Sequence, residues 1–210
     1  MKRAIALALF AASCRTSAPP AIDPRLTKYV PEDASALVGF RPSTLQGIVP
    51  GFDGVRYVLI AARGSELISL TLSSDGSVNG RPATLPRARS PLLVEGEALA
   101  AHNPAWAVVR GGVALPVEGN LSNLNTLLRD VTLVKLTAQL DDQVHVELAA
   151  DCRTPDAASH FEGSLRSLLV LSGLASSVRV QHDGGTVSAS LNAPREALGK
   201  LLHEPGLRKP

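Results

Sequence analysis

Residues 131–172 read VTLVKLTAQLDDQVHVELAADCRTPDAASHFEGSLRSLLVLS, and their periodicity decides the fold class. Val134, Leu136, Ala138 and Leu140 alternate with Lys135, Thr137 and Gln139, as a strand with one face buried requires. Asp141-Asp142 turns the chain, and Val144, Val146, Leu148 and Ala150 alternate again on the return. The period then changes from two to 3.6. Thr154 predicts an N-cap and Pro155 fits the first helical position. Ala158, Phe161, Leu165, Leu168, Leu169 and Ser172 share one face of the helix, and Gly173 is expected to end it. A hairpin packed under a helix is the unit of an α+β fold.

The pattern extends in both directions. Val178 and Val180 predict a strand, His182-Asp183-Gly184-Gly185 its turn, and Val187, Ala189 and Leu191 the return. Pro194 is expected to open a last helix with Ala197, Leu198, Leu201 and Leu202. Upstream, Ala105–Val109 predicts a short strand, and Asn120 caps a helix with Leu121, Leu124, Leu127, Leu128 and Val131 inward. Ala36–Phe40 predicts another strand, Ser43 caps a short helix, and Val55–Ala62 pairs with Leu67–Leu72. The order strand–helix–strand–strand thus occurs twice, as a repeat of elements rather than of residues. Residues 29–203 are expected to form one α+β domain, with 29–103 and 104–203 as its halves. Residues 75–103 read as an irregular centre with PATLPRARSP exposed, and 204–210 as a polar tail.

The chain has 210 residues, enough for one sizeable core, and 45% are hydrophobic, which excludes a disordered body. The N-terminus reads MKRAIALALFAASC. Lys2 and Arg3 form a basic region, and Ala4–Ala12 an apolar stretch of signal-peptide length. Small residues then lead into Cys14. The run Ala11-Ala12-Ser13-Cys14 resembles the lipobox of bacterial lipoproteins. That resemblance implies cleavage after residue 13, with diacylglycerol on the Cys14 thiol and a further acyl chain such as palmitate on its amino group. It implies a cell-envelope protein held to the membrane by lipid and facing the periplasm. Arg15, where aspartate would signal inner-membrane retention, favours the outer membrane. Ala11 and Ser13 also fit an ordinary signal peptidase cutting the same bond, so a secreted soluble protein is the alternative. Residues 14–28, with prolines at 19, 20 and 24, read as the lipidated cysteine and a tether.

Loss of the leader takes Lys2 and Arg3 from a net charge of +2 and leaves zero. A neutral chain with 3% aromatics lacks the basic stripe and stacking platforms of nucleic-acid binding, so no nucleic acid is expected as a partner. With Cys14 lipidated, Cys152 has no intrachain partner. Its place in the alternation after Ala150 predicts a small core side chain. Without lipidation, a Cys14–Cys152 bridge stays open.

The chain contains no G-x-S-x-G elbow, H-E-x-x-H pair, Walker loop or G-x-G-x-x-G turn, so neither a catalytic residue nor a cofactor is expected. His145 and Glu147, two apart on one strand face, form the weak metal candidate, and two ligands do not complete a site. His182-Asp183 is a second weak pair, with no nucleophile beside it. Arg81, Arg87 and Arg89 form a solvated basic loop, and Trp106 is expected in the core. The body is also similar to uncharacterised exported proteins of high-GC bacteria, through Tyr29–Ala34 (YVPEDA) and Trp106–Gly111 (WAVVRG), which implies export but no activity.

The expectation is therefore a non-catalytic binding or assembly module of the envelope, docking a protein or ligand on an open polar sheet face. The alternative is a divergent periplasmic hydrolase or metal-dependent enzyme. The two differ in whether His145, Glu147, His182 and Asp183 converge.

Overall fold

Alternating side chains over 131–152 become two strands of one large antiparallel sheet. The computed structural model describes residues 21–45, 51–82, 84–113, 123–171 and 175–194. In chain order a short helix α1 (Pro24–Thr27) precedes β1 (Ala36–Phe40). A 3-10 turn at Pro42–Leu45 follows, then β2 (Val55–Arg63), β3 (Glu66–Ser73) and β4 (Val78–Asn79). Helix α2 (Leu92–Ala100) leads to β5 (Ala105–Arg110). Helix α3 (Asn123–Leu127) runs through a 3-10 turn into β6 (Val131–Leu140) and β7 (Gln143–Cys152). Helix α4 (Pro155–Leu171), β8 (Val178–Asp183) and β9 (Thr186–Pro194) complete the described elements.

The nine strands lie in the order β4-β3-β2-β1-β5-β6-β7-β9-β8. The strands of residues 29–103 and those that follow residue 104 are therefore in one sheet. Their leading strands, β1 and β5, pair antiparallel at its centre, from Ala36 opposite Val109 to Phe40 opposite Ala105. The short β4 closes one edge, and β8, with Arg179, Gln181 and Asp183, closes the other with polar side chains.

The core changes faces midway along this sheet. Leu37, Leu59, Leu70, Trp106 and Val108 point to one face, where α2 and the segment Ile22–Val30 cover them. Directly opposed residues share a face, and neighbours along a strand alternate. Val108 opposes Lys135, whereas Val109 opposes Val134. The face that is apolar on β1–β5 is thus polar on β6–β9. There the apolar side chains Val134, Ala150, Val180 and Val187 turn to the reverse face, under Phe161 and Ala158 of α4 and Leu128. A rotation about an axis normal to the sheet would keep both sets of helices on one side. The repeated element order therefore does not make the halves equivalent.

Several expectations are corrected. The tether expected over 14–28 does not reach Lys28: Ile22 and Leu26 are fully buried, and Asp23 caps α1 by accepting from Arg25 N at 2.9 Å. Proline serves there as a helix start rather than a spacer. The irregular centre expected over 75–103 holds β4 and α2. Helix α2 is hard to read because Pro91 offers no capping side chain and Gly96 interrupts it. A Cβ at Gly96 would lie 2.6 Å from the Trp106 ring, so packing fixes that glycine. β6 begins at Val131, three residues before the alternation becomes clean, and a register shift between Val131 and Leu133 interrupts its start. Pro194, expected to open the last helix, lies in β9 at the end of the described residues. Cys14, the leader, Asn120, Leu121, Gly173 and the helix and tail expected over 195–210 lie outside the described residues.

Candidate functional site

Where the core changes sides, the first face of β6–β9 is left with polar side chains. The register arranges them in rungs across four strands. Lys135, Ala149, Ser188 and Gln181 form one, and Thr137, Glu147, Ser190 and Arg179 the next. Gln139, His145 and Asn192 form a third. The two hairpins thus supply one continuous polar surface. Leu99 of α2 rises beside it and makes a concavity of about 430 Å³. The Lys135 Nζ–Glu95 Oε2 pair, 2.7 Å, fastens α2 to this wall.

Among the described residues, no hydrogen bond or ion pair engages the side chains of Thr137, Arg179, Gln181, Ser188 or Ser190. They offer donors and acceptors that a ligand could satisfy without breaking an internal bond. His145 is already engaged: its ring bonds Asn192 Oδ1 and lies 3.0 Å from Glu147 Oε1. The Asn192 bond and then the Glu147 carboxylate raise its pKa above the ordinary imidazole range. Because the folded pKa is the higher one, this contribution to stability is complete below the unfolded pKa. It disappears as pH rises through the folded value. An NMR titration of His145 should therefore end at a higher pH than in unfolded chain, and Asn192→Ala should lower its midpoint. An unmoved midpoint would sever the ring from Asn192.

His182 belongs elsewhere. It opposes Val187 and so lies on the reverse face, where its ring bonds Glu162 of α4. Arg166 also holds Glu162, and first Arg166, then His182, keeps that carboxyl below its usual range. His145 and His182 are on opposite faces and, measured along β9, five residues apart, from Asn192 to Val187. That is about 16 Å of strand, far beyond hydrogen-bond reach. Asp183 opposes Thr186 at the far end of β9. Among the described residues, no group of three or more His, Cys, Asp or Glu gathers around His145 and Glu147 or elsewhere. The Cys152 thiol is half-buried, and burial pushes its pKa up, away from thiolate chemistry.

The sequence signalled the rungs through plain alternation. It gave no sign of Leu99 and Glu95, which arrive from a helix remote in the chain. Asn192 was legible as the next polar position after Thr186, Ser188 and Ser190. Among the described residues, no helix is long and apolar enough to cross a membrane. No family model, curated protein or solved structure matches the chain.

Proposed function

We propose that this chain is a lipid-anchored cell-envelope protein and a non-catalytic docking module, which receives a partner on the open polar face of β6–β9. One observation carries the docking function: a four-stranded face beside a concavity, whose Thr137, Arg179, Gln181, Ser188 and Ser190 side chains have no internal partner among the described residues. Dispersed, uncommitted donors and acceptors suit recognition of a broad polar surface. The separation of His145 and Glu147 from His182 and Asp183 supports docking over a hydrolase or metal-dependent enzyme, whose chemistry would need those side chains to converge.

The anchor rests on Ala11–Cys14. Each buried methylene of an acyl chain contributes about 0.8 kcal/mol, and two or more chains hold stably. Cys14→Ala should move the protein from the membrane fraction to the soluble fraction of its host. Unchanged membrane association would refute the anchor. For docking, full-length protein is used to capture partners from detergent-solubilised envelope of its own host. A stoichiometric partner is expected, and Arg179→Glu combined with Gln181→Ala should reduce it at least about tenfold, as loss of a charge-assisted contact implies. Both side chains are exposed, so the fold should tolerate the change. Equal capture by the variant would move docking off this face. Recovery of the bait alone would overturn a stable assembly role.

A further inference from the structure

A second cleft lies on the same face of the sheet in the other half, at the end of β2 away from the hairpin turn. It measures about 500 Å³ and is lined by Arg41, Arg56, Ser43 and Tyr57, with Ala21 and Asp23 at its N-terminal wall. Arg41 leaves β1 on the face of Leu37 and Gly39, and Arg56 sits in the β2 irregularity between Val55 and Tyr57.

The positive charge in this cleft exceeds the negative: Asp23, the carboxylate in its wall, is held below its usual range first by Arg25 and, more weakly, by the charge of Arg56. Among the described residues, neither Arg41 nor Arg56 has a hydrogen-bond or ion-pair partner for its guanidinium. The carboxylate in the wall, Asp23, is committed to Arg25: Oδ1 accepts from Nε at 3.0 Å and Oδ2 from Nη2 at 2.8 Å. Tyr57 is only 7% exposed, and its hydroxyl accepts from Trp106 Nε1 at 2.9 Å. The hydroxyl proton has no acceptor among the described residues, and the Arg41 charge acts on that oxygen. Arg41 and Arg56, without a guanidinium partner among the described residues, thus line one cavity with Ser43 and with Tyr57, whose buried hydroxyl has a proton to give. Forked guanidinium donors match the oxygens of a phosphate.

We propose that this cleft binds a phosphate oxyanion through Arg41, Arg56 and the Tyr57 hydroxyl. The phosphodiester of an anionic lipid headgroup and a free phosphate present the same oxygens. Ala21 lies seven residues after Cys14, so the lipid-anchor reading brings the cleft near headgroups, but phosphate binding does not depend on it.

The test uses the full-length chain carrying Cys14→Ala, so that no acyl chain contributes. Its probes are inorganic phosphate, followed by calorimetric titration at low salt, and vesicles of phosphatidylglycerol or phosphatidylcholine, followed by flotation. Arg41→Gln and Arg56→Gln should each weaken binding about tenfold, and the double variant should abolish it. Thermal unfolding should be unchanged because both side chains are exposed. Arginine-dependent flotation with phosphatidylglycerol alone among the vesicles assigns a lipid headgroup. Arginine-dependent saturation by inorganic phosphate without flotation assigns a free phosphate. Binding that the double variant retains, or no binding of either probe, overturns the proposal, and neither result bears on docking at β6–β9.

Discussion

Trp106→Ala is expected to lower the unfolding free energy by about 3–5 kcal/mol, the usual cost of deleting a large core aromatic. The ring is 1% exposed at the centre of the sheet. It lies across Gly39 of β1, directly opposite in register, and against Gly96 of α2. A Cβ would fall 2.5 Å from the ring at Gly39 and 2.6 Å at Gly96. The two glycines form a slot for this indole, and neither has a side chain to move into the space it would vacate. Deletion also leaves the buried Tyr57 hydroxyl without its 2.9 Å donor. Urea denaturation of both proteins checks this. A loss under about 1 kcal/mol would mean that the slot closes on itself, contrary to the rigid packing argued from the glycines.

Phe161→Ala should cost a similar amount, about 3–5 kcal/mol, from the opposite side of the sheet. Phe161 is 6% exposed and, with Ala158 of the same helix, packs from α4 onto Val180 and Val187. The two lesions lie in different halves and on different faces, but β1 pairs with β5, and β5 with β6, without interruption. A cavity in either core should therefore lower one shared unfolding transition. Calorimetry should show a single peak displaced downward in each variant. Two separated peaks, with only one displaced, would mean that the halves unfold independently despite the continuous ladder.

The legibility of the chain varied with the range of the interactions that shape it. β6, β7, α4, β8 and β9 were readable because their side-chain period, caps and turns are local properties. Thr154, for example, accepts from Ala157 N at 3.1 Å, as its N-cap position implied. Helix α2 was not readable, because its glycine serves a tryptophan ten residues downstream and its cap supplies no side-chain bond. The segment from Ala21 to Lys28 misled for a related reason: its Pro24, following Pro19 and Pro20, resembles part of a spacer until Ile22 and Leu26 find a core to enter.

The same distinction applies to the candidate sites. Alternation by itself determined which side chains of β6–β9 share a polar face, because successive residues of a strand must point to opposite sides. It also fixed the mixed helix-and-sheet character of the fold. Only the tertiary structure decided that both halves join through β1 and β5, that their cores lie on opposite faces, and that His145 and His182 never meet. It alone brought Arg41, Arg56 and Tyr57 to one cleft. Local backbone geometry dictates which way a side chain points along its own strand. Strand order and helix placement depend on pairing and burial between segments distant in the chain, and a local pattern carries no record of its distant partner.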